Sequence, residues 1–559
     1  MIARAIVAAL ILVVAMLTYP GAMLVSLATR LTPPPAARAG PPGALPWLHV
    51  EHPAGGRPYI ADDQGRLVIL HGVTPAGLLE FGPGTSPLYP IEPAAYEGGR
   101  CPPNNEASRY PPICERDVEQ MASLGFNVVR LPISWSVLEP DRGRFDDLLL
   151  DRVEQVVDWA RARRMYVLLD MHQNGFSHYV GSGEGVHLEY NSGAPRWATF
   201  TDGVPSRVFG QNREVNPAVF EATTNFWYDR EGIQDEYIAA LAHVARRFVD
   251  DSVVAGFGVY NEPWFGWNLP PGFDDLLLFP FYRRVIDAIT GVRDGLPCWS
   301  GFFMPAVCGY RDLGVGDRRH LIFLDTGLLR EVTDFPTHLG LPVTSYPNVV
   351  LALHGYTHVY TVDKLAGEHV PNTNYPWGGY DQGWDSAERE AKAMDAALFL
   401  EEFGNDPRDD DLILKSQLRE AERHRVGFAF WTWKENGGDQ SWGVYDSPLP
   451  KKESSGCIRS GRERQLASVY PRASADAGAT FAFDSADGGF TMRARGRSGD
   501  PPTVVYVPRE VTGIIAGRGA LQIDVTPDPA GGRIVLASPT GGTFMVSVAP
   551  ATASLTLCT

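Results

Sequence analysis

Cysteine is scarce in this chain, and its placement does not suit a metal. Six cysteines occur in 559 residues, and none forms a Cys-x-x-Cys pair or a Cys/His cluster with zinc-like spacing. Basic charge is also short. Lys and Arg total 49 against 66 Asp and Glu, a net charge of -17, which argues against nucleic acid as a partner and against broad electrostatic attachment to anionic lipid. There is no repeating period and no long low-complexity tract, so collagen-like, repeat and extended disordered architectures are set aside. The acidic pairs Asp62/Asp63 and Asp409/Asp410 lack the oxygen spacing of an EF-hand. His354 and His358 are four apart, but a glycine lies between them in a stretch that follows a strand. GSGEG at 181–185 lacks the lysine and the strand-to-helix setting of a phosphate loop. No metal, no cofactor and no obligate protein partner is expected.

What is present reads as an exported globular protein, with 44% hydrophobic and 21% charged residues. Residues 5–29 carry no charge, and Ala37-Arg38-Ala39 offers a small-x-small cleavage site. Residues 1–39 are therefore expected to be a signal peptide or an N-terminal membrane anchor, and either one places the rest outside the cytoplasm, secreted or tethered to the outer face of the membrane. The order of the cysteines favours the pairs Cys101–Cys114, Cys298–Cys308 and Cys457–Cys558, with buried free thiols as the alternative. Residues 40–57, rich in Pro, Ala and Gly, read as a linker.

From there an alternating rhythm sets in. Apolar runs begin at Leu67, Phe126, Met165, Val254, Leu321, Val349, Leu398 and Gly427, with amphipathic helical stretches between most of them. Eight strands alternating with helices predict a closed (β/α)8 TIM barrel over 58–460, and an open doubly wound sheet is the alternative. Beyond it, short alternating runs separated by Gly, Pro and Asp predict a small all-β sandwich over 466–559.

The stretch at 254–267, VAGFGVYNEPWFGW, concentrates the chemistry. A fully apolar strand delivers Asn261 and Glu262 to its C-terminal end, and Pro263 forbids helical continuation there. In a barrel all strand C-termini share one rim, so Glu262 and Glu402, which closes the LFLEE run, converge across the chain. Two carboxylates flanking a glycosidic bond are what glycoside hydrolysis needs, one as acid/base and one as nucleophile. Arg130, Asp170, His172, Asn261, His354, Tyr356 and Trp431 also fall at or near predicted strand ends. Arg130 is expected beside Glu402, His172 and His354 on hydroxyls or on Glu262, and Trp431 as a flat face for a pyranose. Strict alternation along LFLEE allows only one of its two acids to face the axis. Glu402 is expected there, with Glu401 outward or paired with a cation. Trp264, Phe265 and Trp267 extend beyond Glu262 and suit an apolar leaving-group groove.

These residues resemble glycoside hydrolase family 5, whose members are (β/α)8 retaining β-glycosidases. The matching segments are VVRLP with Arg130, DMHQN with His172, YNEP with Asn261 and Glu262, HGY with His354 and Tyr356, EFG with Glu402, and FWTW with Trp431. The resemblance implies Glu262 as acid/base and Glu402 as nucleophile. GFNVVRLPISWSVLEP, LLDMHQN and NEPWFG resemble the endoglycoceramidases, which cut the β-bond between an oligosaccharide and ceramide; a membrane-embedded or micellar glycolipid substrate is then implied. One departure is Asn174, where the related motif carries a second Asp that contacts sugar. The loop at 82–114 looks like an addition that narrows the sugar side. Rival readings are a β-glycosylceramidase acting on single-sugar glycolipids, a β-glucanase or mannanase, and a carbohydrate-binding envelope protein with a degenerate barrel.

Overall fold

Strands that are apolar on both faces need cover on both, and a ring of helices around a closed sheet supplies it. In the computed structural model, eight parallel strands close into such a barrel in chain order: His71–Thr74, Val128–Ser134, Tyr166–His172, Val254–Gly258, Leu321–Asp325, Val349–His354, Ala397–Phe403 and Phe428–Trp431. The ring shuts where Trp431 pairs with Thr74. The structure describes residues 45–80, 89–105, 108–181, 191–207, 214–268, 270–296, 298, 300–301, 304–305, 307–338, 343–357, 359, 380–436, 441–446 and 457–552. The expected targeting segment at 1–39 lies outside them, as do His358, most of the GSGEG stretch and part of the loop at 82–114.

Helices Glu115–Ser123, Asp147–Ala162, Ile233–Phe248, Phe279–Thr290, Leu328–Thr333, Tyr380–Ala393 and Ile413–His424 connect successive strands. Asp147–Ala162 shows why such a segment is helical. Asp146 caps it by accepting the Leu148 N–H, and Leu149, Leu150, Val153, Val156, Val157 and Ala160 form its buried face. Among the described residues no helix is long and apolar enough to cross a membrane.

The expected first barrel strand is corrected. Leu67–Val68 is not in the barrel; it pairs antiparallel with Ala473 and Ser474 of Tyr470–Ser474, a strand the sequence reading did not mark. His71–Thr74 takes the barrel position instead. Within the stretch read as a linker, His49–Glu51 pairs with Tyr59–Ala61. These three N-terminal strands extend the C-terminal domain into one nine-stranded antiparallel sheet. The physical reason is hydrogen-bond competition: a closed eight-stranded ring has no edge to offer, whereas the C-terminal sheet has one. The sheet bends over its own core because Arg533–Val548 pairs with Thr503–Val507 along its first half and with Phe490–Gly496 along its second. Val505, Val535, Met492 and Val546 fill that core.

Gly125 is the contact point between sheet and barrel. Its φ of +91° and the Tyr506 ring, 2.2 Å from where a Cβ would stand, leave room for no side chain. Tyr470 Oη donates to the Gly125 carbonyl at 2.9 Å. Tyr470 also stacks at 3.8 Å on His71, and burial pushes that imidazole down to about 3. Two disulfides match the expected local pairs, Cys101–Cys114 and Cys298–Cys308, with Cα atoms 5.6 and 5.8 Å apart. Cys457 is disulfide-bonded, while its expected partner Cys558 lies outside the described residues.

Candidate active site

The fourth barrel strand ends at Gly258, and the chain then turns sharply enough to put Glu262 at φ +46°. A non-glycine residue in this left-handed region needs the surroundings to hold it. Asp325, closing the fifth strand, accepts the Glu262 N–H at 2.9 Å, and Gln173 Nε2 donates to the Asn261 and Glu262 carbonyls at 2.7 and 3.0 Å. The acid is thereby anchored through its backbone.

Arg130, fully buried on the second strand, is the hub opposite. Its guanidinium donates to Glu402 Oε2 and, at 2.7 Å, to Asn261 Oδ1, and lies 2.9 Å from Asp170 Oδ2 and 3.3 Å from Glu401 Oε1. Burial alone would lower Arg130. The carboxylates of Asp170, Glu401 and Glu402 overcome that and hold it well above its usual value. The other Glu402 oxygen accepts from Tyr356 Oη at 2.6 Å. Glu262 Oε1 instead lies 3.2 Å from His354 Nδ1, and burial lowers that imidazole to about 4, so it is neutral near neutral pH. One carboxylate is thus placed beside a fixed cation and the other beside a neutral ring.

A carboxylate oxygen of Glu262, one of Glu402 and a ring nitrogen of His354 lie within 4.8 Å of one another. A separation of this order belongs with the pair spacing of about 5 to 5.5 Å that suits direct attack, not with the about 6.5 to 9.5 Å that leaves room for an intervening water. Such atoms are also of the kind that bind metal ions, but Glu402 already has Arg130 and Tyr356 on its two oxygens.

Around this pair, His172 Nδ1 meets Asp170 Oδ2 at 2.8 Å, and its Nε2 meets Asn174 Nδ2 at 3.0 Å. Asn261 Nδ2 donates to the Gln173 carbonyl at 2.9 Å and lies 3.5 Å from His172 Nε2. Trp431 stacks on His172 at 5.4 Å and meets the Tyr110 ring edge-on at 5.5 Å. Arg130, Asp170, His172, Asn174, Asn261, Glu262, His354, Tyr356, Glu402 and Trp431 therefore form one connected constellation.

The profile of Cellulase (glycosyl hydrolase family 5) matches residues 103–437. The chain belongs to glycosyl hydrolase family 5. This family 5 enzyme is 26% identical over 468 residues to Endoglycoceramidase I of Rhodococcus hoagii, covering 80% of this chain and 78% of that protein. It is 24% identical over 370 residues to Probable glucan 1,3-beta-glucosidase A of Aspergillus niger, covering 60% and 72%. The crystal structure of an endogalactoceramidase superposes with a TM-score of 0.66 at 26% identity, over 90% of this chain and all of that one. The enzyme is a glycoside hydrolase.

In this family 5 enzyme the expected alternation at LFLEE is interrupted. Leu353 pairs with Leu400 but His354 pairs with Glu402, so the seventh strand carries one extra residue against the sixth. A bulge of this kind re-aims side chains. Of the two places expected for Glu401, outward or paired with a cation, it takes the second: it is buried against Arg130, beside the acid that follows it. Gly404 makes the next step possible, since a Cβ there would stand 2.2 Å from the Trp431 carbonyl oxygen.

The leaving-group aromatics divide. Trp264 is buried against Phe220 and Phe265, at 5.3 and 4.1 Å, and serves to pack the loop. Trp267 is 55% exposed, its indole N–H bound to Glu221 at 2.8 Å. Phe265 is partly buried between them. Two further acids of the site were not marked in the sequence. Asp325 closes an apolar strand, LIFLD, and the rule that found Glu262 would have found it. Glu331, on helix Leu328–Thr333, gives no such signal, yet its Oε2 comes within 3.7 Å of His354 Nδ1. Burial, then Glu262, Asp325 and Glu402, push it well above the usual carboxylate range.

Proposed function

We propose that this enzyme hydrolyses the β-glycosidic bond between a sugar and ceramide with retention. Glu402 attacks the anomeric carbon as Glu262 gives its proton to the leaving oxygen. The resulting glycosyl-enzyme is then opened by a water that Glu262 deprotonates. The observation that carries the reading is the Glu262–Glu402 proximity within 4.8 Å, with opposite electrostatic settings for the two acids. Arg130 and Tyr356 hold both Glu402 oxygens, and each oxygen keeps a lone pair for attack.

The ceramide leaving group is supported by the likeness to endoglycoceramidase I and to the endogalactoceramidase, which spans more of the chain than the likeness to the glucan glucosidase. Phe265 and Trp267, on the Glu262 side of the site, offer apolar area for it. Mass spectrometry of products from a ceramide glycoside, a β-1,3-glucan and a mannan oligomer is the deciding experiment. Intact ceramide plus free sugar is expected; equal or faster cleavage of the glucan would transfer the enzyme to the polysaccharide class.

The glycone end is proposed to be short. Glu435 ties two loops together there: Arg109 pairs with it at 2.5 Å, and the Trp442 N–H donates to it at 2.6 Å. The Asn104 and Asn436 amides bond each other at 2.9 and 3.0 Å. The Cys101–Cys114 loop is thereby latched beside Trp431, with Tyr110 against the ring. Arg109→Ala is expected to raise kcat/KM on a three-sugar ceramide glycoside about tenfold relative to a one-sugar glycoside, because about 1.4 kcal/mol of steric exclusion is lifted. An unchanged ratio would assign the latch to stability alone.

We also infer export, with residues 1–39 as a signal peptide or retained anchor. The two disulfides, Cys101–Cys114 and Cys298–Cys308, support an oxidising compartment.

A further inference from the structure

The catalytic scheme has no use for Glu401, although it adjoins the nucleophile and is 1% exposed. Arg130 Nε is 3.3 Å from its Oε1, yet neither oxygen accepts a hydrogen bond from any donor among the described residues. What does lie close is another acid. A carboxylate oxygen of Glu401, one of Asp325 and a ring nitrogen of His354 are within 4.8 Å of one another. Gly258 makes space for this crowding, since a Cβ there would stand 3.1 Å from Asp170 Oδ1 and 3.2 Å from Glu401 Oε1.

The charges do not balance if every acid is ionised. Facing Asp325 and Glu401 are Arg130 on the second strand, Asp170 on the third, Glu262 beyond the fourth, His354 on the sixth, Glu402 on the seventh and Glu331 on the short helix. Arg130 is this cluster's permanent cation, and Asp170 and Glu402 already share it. His354 is neutral near neutral pH and adds no positive charge. A buried carboxyl whose oxygens lack a donor, beside a second buried carboxyl, is satisfied when that neighbour is protonated and donates to it. With Arg130 Nε 3.3 Å from Glu401 Oε1, the proton belongs on Asp325, which burial and then Glu401 push well above the usual carboxylate range. Its Oδ2 accepts the Glu262 N–H at 2.9 Å and lies 3.4 Å from His354 Nε2.

We propose that Asp325 and Glu401 share one proton, donated by Asp325, and that the pair positions Glu262. The neutral Asp325 end holds the Glu262 backbone in its left-handed turn. The single negative charge on Glu401 helps keep the Glu262 proton in place until the leaving oxygen takes it. This rests on the reading of Glu262 as the acid/base. Failure of that reading would show separately, as an equal loss on good and poor leaving groups in Glu262→Ala.

The test is the pH dependence of kcat/KM on an unactivated glycoside and on one with an activated aryl leaving group. Glu401→Gln removes the charge and keeps the shape, so the alkaline limb on the unactivated glycoside moves down by about one pH unit. Asp325→Ala loses the backbone acceptor, so kcat on the unactivated glycoside falls by about 100-fold, with a much smaller fall on the activated one. A parent-minus-Asp325→Asn infrared difference spectrum at neutral pH contains a protonated-carboxyl C=O band, over and above the absorption that Glu262 and Glu331 give in both proteins. A Glu401→Gln profile that superimposes on the parent's, or a difference spectrum without that band, overturns the proposal. If Glu401→Gln does not fold, the Asp325→Asn spectrum and the Asp325→Ala leaving-group ratio decide the question.

Discussion

Glu402→Gln is expected to lower kcat by about 10⁵-fold while the protein still binds its glycoside. The amide keeps an oxygen that can accept from Arg130 or Tyr356, but not both bonds at once, and its nitrogen has no lone pair with which to attack the anomeric carbon. Arg130 remains held by Asp170 and Asn261, at 2.9 and 2.7 Å, so the site should keep its shape. Two measurements check this. Turnover of a ceramide glycoside should vanish while calorimetric binding persists, and a mechanism-based 2-fluoro glycoside should add one sugar mass to the parent protein and none to the variant. Retained turnover, or a sugar adduct on another residue, would remove Glu402 from the nucleophile's place.

The second large effect is expected at the other acid. Glu262→Ala should lower kcat/KM on an unactivated glycoside by about 10³-fold to 10⁴-fold, the span that general acid catalysis supplies. With a leaving group that departs without a proton, glycosyl-enzyme formation should be nearly normal, and its breakdown becomes slow because no base activates the water. KM should therefore fall together with kcat, and added azide should restore turnover and give a β-glycosyl azide. His354, 3.2 Å from Glu262 Oε1 in the parent, cannot take over, since burial holds its imidazole near 4 and leaves it without an acidic proton at neutral pH. Equal losses on good and poor leaving groups, or no azide product, would end the acid/base assignment.

Much of this site was legible because a parallel barrel gathers the C-terminal ends of its strands on one rim. Arg130, His172, Asn261, Glu262, His354, Tyr356, Glu402 and Trp431 could be nominated from that rule and the polar residues at the ends of apolar runs. Asp325 obeys the same rule, closing LIFLD, although no aromatic or amide follows it in the sequence. Glu331 could not be found this way, since its approach to His354 depends on where a six-residue helix docks.

What the chain alone determined is what local patterning encodes. Apolar runs with helical stretches between them require a sheet covered on both sides, and cysteines 13 and 10 residues apart are near enough to close on each other. Pairing across the chain was decided only by the tertiary structure. Leu67–Val68 is as apolar as a barrel strand, but the open edge of the C-terminal sheet takes it, because backbone groups go to whichever partner lacks one. The same holds for the neighbours Glu401 and Glu402. Alternation predicts opposite faces, and one extra residue in the register against His354 brings both to Arg130. A bulge leaves no periodic trace in a seven-residue strand, since it arises from hydrogen bonds with a neighbour about fifty positions away.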